Sequence, residues 1–421
     1  MKNTILFLKS FTSVKLTSTS RRFVPVIAAL AIISFSMAGC DNGTDPGGGD
    51  KPGAKTYTVT YNSAGGAAVA AVPGLASGAK VSKPADPKRA FDYLTTAGLW
   101  KSPDTVEYAF DGWKKADDSD WDFNADTVTD NITLTAKWTE PTPITLNLGG
   151  TNLVHAAVTH VNTDPGTYTL VVGDNVTVAN TVPNFEAGVH LTVVGHGERR
   201  TITKPSLTNS IFTINGANRS LTLGDNITLV GNSGILTALV HVNGGASLTM
   251  NSGAQITGNT ANNNNQGGGV NVTGGSSFTM HEGSLIHGNS TVGTGSGAGV
   301  RVSGNNSTFT MLGGTISGNS AGSGMSTSSG GVLLTTEAVV FRIVNGVIYG
   351  NNEGDNSNTA SGGTGVNASY SAFKTFPTTL ATAQYGTFVD GVWTPALDGE
   401  GNPIKLEATH NTIRVVNGVL Q

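Results

Sequence analysis

The side chain best suited to covalent chemistry in this sequence is the thiol of Cys40. It belongs to the only cysteine of the chain, so the thiol has no partner for an intramolecular disulfide or a cysteine metal cluster. Ala38 and Gly39 stand directly before it, and such small residues leave the neighbouring backbone accessible to a peptidase. The pattern predicts cleavage between Gly39 and Cys40 together with modification of the thiol.

The residues before Cys40 have the order of a targeting segment. Positions 23–38 carry no charge, and about sixteen residues are short for a membrane-spanning helix, which needs about 20. The preceding basic residues are Lys2, Lys9, Lys15, Arg21 and Arg22. With the sequence Met37–Cys40, this segment resembles the lipobox of bacterial lipoproteins. The resemblance implies that residues 1–39 are a removed signal peptide and that a diacylated Cys40 anchors the chain to a membrane. An ordinary signal peptide, or an uncleaved helix with an inert cysteine, is the alternative.

Carboxylates are the next candidates for chemistry, because polysaccharide lyases and hydrolases depend on clusters of them. Between positions 226 and 350 the acidic residues are Glu282 and Glu337, and the arginines or lysines are Arg301 and Arg342. The two acids fall at different points of the repeat described below, so no carboxylate pair is expected there. The remaining charged clusters are Glu198-Arg199-Arg200 and Glu353 with Asp355. We interpret these as solvated loop charges and predict no catalytic residue.

Metal and cofactor motifs are weak throughout. The acidic stretch from Asp117 to Asp122 fails as a calcium loop, because Phe123 stands where an EF-hand requires glycine and Thr129 stands where it requires glutamate. No pair of the eight histidines shows the H-x-x-x-H spacing that places two zinc ligands on one helix face. The run Gly267–Gly269 has no predicted helix after it, unlike a nucleotide-binding loop. We therefore predict no metal and no cofactor.

Composition narrows the function classes further. Charged residues are 12% of the chain, the formal net charge is −4, and 57 of 421 residues are glycine. Such a chain has no basic field for nucleic acid, so we expect no nucleic-acid partner. Abundant glycine without a collagen period indicates either disorder or many tight turns. The regularly spaced apolar residues described below favour tight turns.

Residues 56–139 form a separate predicted domain rich in strands and tryptophan. Alternation at 57–61 predicts a strand, and 109–113, 121–123 and 132–138 follow with aromatic and apolar residues. In this order the segments resemble the internalin B-type, or Listeria–Bacteroides, repeat of surface proteins, with an apparent insertion between Lys88 and Tyr108. The resemblance implies a β-grasp-like spacer or weak interaction module. We expect Trp113, Trp121 and Trp138 in its core rather than on a ligand platform.

An internal repeat dominates the rest of the chain. Gly-Asn pairs end at Asn232, Asn259, Asn289, Asn319 and Asn351, at intervals of 27, 30, 30 and 32 residues. Aligned on these pairs, each unit shows three short strands with apolar residues at i and i+2, as in Val240-His241-Val242, Leu248-Thr249-Met250 and the segment around Ile256. We expect corner glycines at Gly253, Gly283, Gly314 and Gly346, and loops at 262–265 and 290–296.

Three such short strands cannot bury a core alone, but they can when stacked coil on coil at strand spacing, ~4.8 Å. The pattern resembles the right-handed parallel β-helix of the pectate-lyase-like superfamily, with a β-sandwich as the alternative. Asn259, Asn289, Asn319 and Asn351 would then form an asparagine ladder at one turn. The predicted fold class is mainly β: a small β-grasp-like domain followed by a right-handed parallel β-helix, or solenoid.

One column of outward residues is a possible ligand surface. The second strand of the unit places threonines at equivalent positions, and a flat hydroxyl column can contact glycans or ice. Solvated strand residues are the alternative. These residues are Thr222, Thr249, Thr279 and Thr310.

Together these features predict a lipid-anchored cell-envelope protein that displays a non-catalytic β-helix for adhesion or interaction, with host or envelope glycans or proteins as partners. The alternative is a polysaccharide-binding or polysaccharide-cleaving protein of the pectate-lyase-like type. We expect the outer membrane surface rather than the periplasmic face, although Asp41 after the cysteine resembles an inner-membrane retention signal. The predicted organisation is signal peptide 1–39, flexible tether 40–55, internalin B-type repeat domain 56–139, linker 140–144, parallel β-helix 145–363 and C-terminal cap 364–421.

Overall fold

The computed structural model describes most of the chain after residue 53. The described residues are 54–102, 106–205, 209–234, 236–292, 296–322, 328–335, 338–351, 353–360, 373–375, 383–406 and 412–421. The predicted signal peptide, Cys40 and nearly all of the predicted tether lie outside them. Lys55–Gln421 form one compact unit. In the described part of the chain, no helix has the length and apolar character needed to cross a membrane.

The N-terminal part of this unit contains a small mixed sheet. Its sheet order is β2-β1-β7-β6, and the central strands β1 and β7 are parallel, with Val59 opposite Ile132. The first and last strands therefore lie side by side at the centre, as expected for a β-grasp-like domain. The strands of this part are β1 (Thr56–Asn62), β2 (Val72–Ala76), β3 (Ala90–Phe91), β4 (Gly98–Lys101), β5 (Val106–Glu107), β6 (Ala109–Lys114) and β7 (Ile132–Thr139).

Two of the three predicted core tryptophans are buried in this domain. Trp113 and Trp121 retain 2% and 7% of their surface, and they pack with Val59 and Leu134. Trp138 is half-buried against the same cluster, and its Nε1 donates to the carbonyl oxygen of Ser63 at 3.0 Å. The tryptophans therefore hold the domain together rather than form an exposed platform.

The inserted segment between Lys88 and Tyr108 leaves this small sheet. β3 and β5 pair with each other, whereas β4 pairs antiparallel with the first strand of the solenoid. Leu99 and Trp100 are buried there, at 0% and 3% exposure. The insertion therefore covers the apolar end of the solenoid, which would otherwise face water.

Most of the remaining strands are short and repeat in a fixed order. They are β8 (Thr167–Val172), β9 (Val176–Thr177), β10 (His190–Gly195), β11 (Arg200–Thr203), β12 (Phe212–Asn215), β13 (Ser220–Leu223), β14 (Ile227–Val230), β15 (Val240–Asn243), β16 (Ser247–Met250), β17 (Gln255–Thr257), β18 (Thr260–Ala261), β19 (Val270–Val272), β20 (Ser277–Met280), β21 (Leu285–His287), β22 (Ser290–Thr291), β23 (Val300–Val302), β24 (Thr308–Met311), β25 (Thr315–Ser317), β26 (Ser320–Ala321), β27 (Val332–Leu334), β28 (Val340–Ile343), β29 (Gly346–Ile348), β30 (Thr359–Ala360), β31 (Phe373–Thr375), β32 (Ala383–Val389), β33 (Val392–Pro395), β34 (Ile413–Val416) and β35 (Val419–Leu420).

These strands stack into the sheets of a parallel β-solenoid. The first sheet has the order β33-β32-β28-β24-β20-β16-β13-β10-β8-β4, and the second has β35-β34-β29-β25-β21-β17-β14-β11-β9. The third sheet is β12-β15-β19-β23-β27-β31. A fourth sheet, β18-β22-β26-β30, was not predicted. Its strands have two residues each, too few to show alternation. One of them, β22, occupies Ser290–Thr291, where the sequence predicted a loop.

The interior of the solenoid consists of the predicted apolar columns. Leu248, Phe278 and Phe309 are in register in the first sheet and retain at most 1% of their surface. The rings of Phe278 and Phe309 stack with centroids 4.7 Å apart and planes at 5°, and Phe341 continues the stack at 5.0 Å. Like residues therefore meet like residues on successive coils, which is the packing that the repeat predicts.

Glycine is required at the corner between the first and second sheets. Gly253 and Gly283 both have φ near +78°, a region that side chains disfavour. A Cβ atom on Gly283 would also lie 2.5 Å from the Ser252 hydroxyl. The predicted corner glycines are confirmed, since Gly314 and Gly346 share the positive φ.

An asparagine ladder closes the turn between the second and fourth sheets. Asn259, Asn289 and Asn319 are fully buried. Asn289 Nδ2 donates to the carbonyl oxygen of Ile256 and to Asn319 Oδ1, both at 3.1 Å. Asn319 Oδ1 also accepts from the backbone nitrogen of Asn289 at 3.0 Å. Each side chain therefore satisfies backbone groups of two coils in a place that water does not reach.

The last member of the ladder differs from the prediction. Asn358, rather than Asn351, accepts from Asn319 Nδ2 at 2.9 Å and is fully buried. The separation from Asn319 is 39 residues instead of 30, because a longer corner with a 3-10 helix (Gly354–Asn356) precedes Asn358. The prediction that Asn351 is the last member of the ladder is therefore wrong.

A helix that the sequence analysis missed packs at the start of the solenoid. Helix α1 (Leu153–Thr163) lies in the segment assigned to the β-helix, and Asn152 Oδ1 caps it by accepting from the His155 backbone nitrogen at 3.0 Å. The helix buries Val154, Val158 and Val161 in the solenoid core. With β4 it covers the first coil.

At the other end the parallel columns extend past residue 363. β31 and β32 pair in parallel with β27 and β28. Antiparallel strands then follow: β33 forms a hairpin with β32, and β34 pairs antiparallel with β29. Antiparallel pairing ends the repeat, because the chain reverses direction at each hairpin and does not continue into another parallel coil.

The ladder predicts a large loss of stability for Asn319→Ala. The substitution leaves buried groups of three coils without partners, and each such group costs about 1–3 kcal/mol. We expect the free energy of unfolding, measured by urea titration, to fall by roughly 3 kcal/mol or more. The matched variant Asn262→Ala removes an exposed loop asparagine and should change it by less than about 0.5 kcal/mol. Equal effects of the two substitutions would contradict the role of the ladder.

Candidate functional site

The predicted threonine column lies in register on the outer surface of the first sheet. Thr222 pairs with Thr249, Thr249 with Thr279, and Thr279 with Thr310. Each alternates with buried residues on either side, so its side chain points outward and is half-buried by its neighbours. Among the described residues none of these four hydroxyls has a hydrogen-bond partner. They are therefore available to a ligand.

A second hydroxyl column runs beside the first, and the sequence analysis did not identify it. It lies two residues earlier on the same strands, at Ser220, Ser247, Ser277 and Thr308. Ser277 Oγ donates to Ser247 Oγ at 2.9 Å, which aligns these hydroxyls along the column. The signal was present as a repeated Ser/Thr-apolar-Thr pattern. We call the two columns together the hydroxyl face.

The hydroxyl face has regular spacing because the backbone sets it. Adjacent strands lie roughly 4.8 Å apart, and residues i and i+2 lie roughly 6.6 Å apart along a strand. The threonine column also continues to Thr192 and Thr169. A ligand along this face would therefore meet hydroxyls at constant intervals over several coils.

Both ends of the hydroxyl face are closed by other side chains. Thr169 is 5% exposed, since Ser102 Oγ lies 3.1 Å and Tyr93 Oη 3.4 Å from its hydroxyl. At the far end Arg342 follows Thr310 in the column. Its guanidinium lies 5.4 Å from the centre of the Trp393 ring. At this far end the uncharged face is therefore bounded by the guanidinium of Arg342 and the ring of Trp393.

The outward side chains of the third sheet are less exposed to solvent than the threonine column of the first sheet. Its column is His241, Asn271, Arg301 and Leu333, and Asn271 and Leu333 are buried. Burial lowers the pKa of the Arg301 guanidinium to about 10. Its Nη1 donates to Ser303 Oγ at 2.7 Å and to Asn271 Oδ1 at 3.3 Å. Arg301 therefore bonds within its own sheet, and the buried Asn271 and Leu333 leave little of this column open to solvent.

A groove of about 490 Å³ lies on the outer side of the second sheet. Strands β17, β21, β25 and the end of β29 form its floor, and the long corner before Asn358 forms one wall. The groove residues used below are Gln255, His287, Thr315, Tyr349, Asp355 and Asn356. The sequence predicted that Asp355 is a solvated charge and predicted no groove, because the wall comes from a corner that breaks the repeat.

The described acidic candidates of the solenoid pair with other side chains or lie exposed. Glu198 is paired with Arg200 at 2.8 Å. Glu353 Oε1 accepts from Thr412 Oγ1 at 2.7 Å, which ties two segments together. Glu282 is exposed at a corner. Glu337 lies outside the described residues.

Arg199 has a structural role that the sequence did not indicate. Its Nη1 donates to Thr228 Oγ1 at 3.0 Å and to the carbonyl oxygen of Gly253 at 2.9 Å. It therefore joins three successive coils of the solenoid.

The acidic loop of the small domain is neutralised by lysines. Lys115 pairs with Asp126 at 2.9 Å, and Lys114 pairs with Asp120. These hydrogen-bonded lysines lower the pKa of both aspartates. Across the described residues, no group of three or more histidine, aspartate or glutamate side chains is placed to hold a metal ion.

Comparison with known proteins identifies the small domain only. Residues 57–91 and 88–137 match the family profile of the Listeria-Bacteroides repeat domain. This confirms the resemblance seen in the sequence of that segment. No curated protein and no solved structure matches the chain. The solenoid is therefore interpreted from its own geometry.

Two half-buried histidines of the solenoid predict a loss of stability in mild acid. Burial lowers the pKa of His287, and burial together with Arg301 lowers the pKa of His241. In the unfolded chain both would have pKa values near 6.5. As pH falls below that value the unfolded state binds protons first, so the free energy of unfolding decreases.

We expect urea titrations between pH 7 and pH 5 to show this decrease. The double variant His241→Gln and His287→Gln should show a shallower dependence in that window, and the same dependence as the parent chain above pH 7. A parent chain whose stability rises on acidification to pH 5 would contradict the assignment.

Proposed function

We propose that the protein is a non-catalytic interaction protein of the cell envelope, anchored by lipid at Cys40, which contacts glycans through the hydroxyl face. The observation that carries the proposal is the pair of in-register columns from Ser220-Leu221-Thr222 to Thr308-Phe309-Thr310. The repeat-domain match supports it, since such a module suits a spacer in a surface protein.

The chemistry of the hydroxyl face fits an uncharged, hydroxyl-rich polymer. Serine and threonine hydroxyls both donate and accept hydrogen bonds, as sugar hydroxyls do. Each such bond contributes about 0.5–1.5 kcal/mol, so a useful affinity requires several of them in register. The solenoid supplies that multiplicity, because every coil adds two more hydroxyls without any change in geometry.

Catalysis is a weaker interpretation of the same surface. Hydrolysis of a glycosidic bond uses two carboxyl groups at a set separation. The hydroxyl face carries none between Ser220 and Thr310. We therefore propose binding without turnover.

The lipid anchor is part of the proposal and rests on the sequence of residues 1–40. Acyl chains stabilise membrane attachment by about 0.8 kcal/mol per buried methylene, and more than one chain gives stable anchoring. The segment 40–55, which contains Gly47-Gly48-Gly49, would act as a flexible tether. The small domain would then act as a spacer between the membrane and the solenoid.

The triple variant Thr249→Val, Thr279→Val and Thr310→Val tests the hydroxyl face. Valine keeps the shape of threonine and its strand preference but removes the hydroxyl. The full chain should bind an array of envelope glycans, and the triple variant should bind at least about tenfold more weakly after losing three hydrogen bonds. Circular dichroism should be the same for both chains.

The matched control replaces three threonines of the small sheet, Thr60, Thr133 and Thr135, by valine. It should keep the affinity of the parent chain. Undiminished binding by the solenoid variant would contradict the proposed surface. So would a parent chain that binds no glycan.

A further inference from the structure

The groove on the second sheet is created by a break in the repeat. Asn319 and Asn358 are consecutive members of the asparagine ladder, yet 39 residues separate them, whereas 30 separate Asn289 from Asn319. Most of the extra residues lie in the corner that contains the 3-10 helix Gly354–Asn356. A regular solenoid has no need of this extra segment, and departures from an otherwise consistent pattern tend to mark functional sites.

The wall of the groove is held in place by hydrogen bonds. The carbonyl oxygen of Asn356 accepts from the backbone nitrogen of Gly318 at 2.9 Å, which fixes the wall against the floor. The Glu353 backbone nitrogen donates to Ser357 Oγ at 2.8 Å. Asn358 Nδ2 donates to the carbonyl oxygen of Tyr349 at 2.6 Å. The groove is therefore preorganised, which lowers the entropic cost of binding.

The floor of the groove offers neutral hydrogen-bonding groups. Gln255, His287 and Thr315 lie on three adjacent strands and are half-buried. His287 Nδ1 lies 3.4 Å from Thr257 Oγ1. Burial lowers the pKa of His287, so its imidazole is neutral at neutral pH and has one donor and one acceptor. Such a floor suits a ligand with many hydroxyl groups and no charge.

The far end of the groove adds an aromatic ring and a carboxylate. Tyr349 is half-buried at the end of the second sheet, with the guanidinium of Arg414 5.9 Å from its ring centre. Asp355 is exposed on the wall. A tyrosine face packs against the apolar face of a sugar ring, and a carboxylate accepts hydrogen bonds from two neighbouring hydroxyls.

We propose that this groove binds a neutral saccharide unit, stacked on Tyr349 and hydrogen-bonded by Asp355, Gln255 and His287. Its volume of about 490 Å³ is within the range of small-molecule sites. The site is separate from the hydroxyl face, because it lies on a different sheet. It binds without cleaving, since Asp355 is the one carboxylate among the groove residues and hydrolysis requires two.

The test is calorimetric titration of the full chain with soluble neutral oligosaccharides selected on a glycan array. Tyr349→Ala removes the stacking surface, and Asp355→Asn removes the charge while keeping the shape. Each should weaken binding by about tenfold, which corresponds to about 1.4 kcal/mol. Circular dichroism and the urea midpoint of each variant establish that the fold is kept.

The triple valine variant of the small sheet, at Thr60, Thr133 and Thr135, is the matched control, and it should keep the affinity for these short ligands. The inference is overturned if no neutral oligosaccharide binds, or if both groove variants bind like the parent chain. It is also overturned if these ligands lose binding only when Thr249, Thr279 and Thr310 of the hydroxyl face are replaced by valine, and that result would leave the proposed function of the hydroxyl face intact.

Discussion

The structure depends on register between successive coils of parallel strands. Backbone hydrogen bonds fix each strand opposite its equivalent one coil away, as Leu248 stands opposite Phe278. The apolar columns in the interior and the buried asparagine ladder at one turn both stabilise this same register. A shift of one residue would reverse every side chain between the core and the surface. The regular outer face is therefore a consequence of the interior, because the constraint that stacks Phe278 on Phe309 also aligns Thr279 with Thr310.

Both ends of such a stack expose an apolar coil, and the chain covers each end differently. At the start, β4 from the inserted segment of the repeat domain pairs with β8, and helix α1 packs beside it. At the end, antiparallel strands β33 and β34 close the first and second sheets. The repeat domain is thus joined to the solenoid by a shared sheet. A spacer fixed in this way would hold the solenoid more rigidly than a flexible linker.

The sequence predicted the regular coils well, because every unit repeats the same apolar columns, corner glycines and buried asparagines. It failed where the chain departs from that repeat. Asn358 was missed because the corner before it is longer, and the fourth sheet because its strands have two residues. Helix α1 was missed although Val154, Val158 and Val161 follow a helical spacing. The serine column was missed because the predicted strands began at their first apolar residue, such as Leu248, whereas β16 begins one residue earlier, at Ser247. The groove depends on the irregular corner, which sequence spacing does not place.

Our central proposal is that the hydroxyl face is displayed outside the cell and contacts a ligand there. The most direct measurement uses the full-length Thr279→Cys variant and a maleimide reagent that does not cross membranes. An acylated Cys40 would not react, so labelling reports the new thiol alone. We predict labelling on intact cells, reduced when the cells are first incubated with the glycan that the chain binds. Labelling that appears only after the cells are permeabilised would contradict the claim.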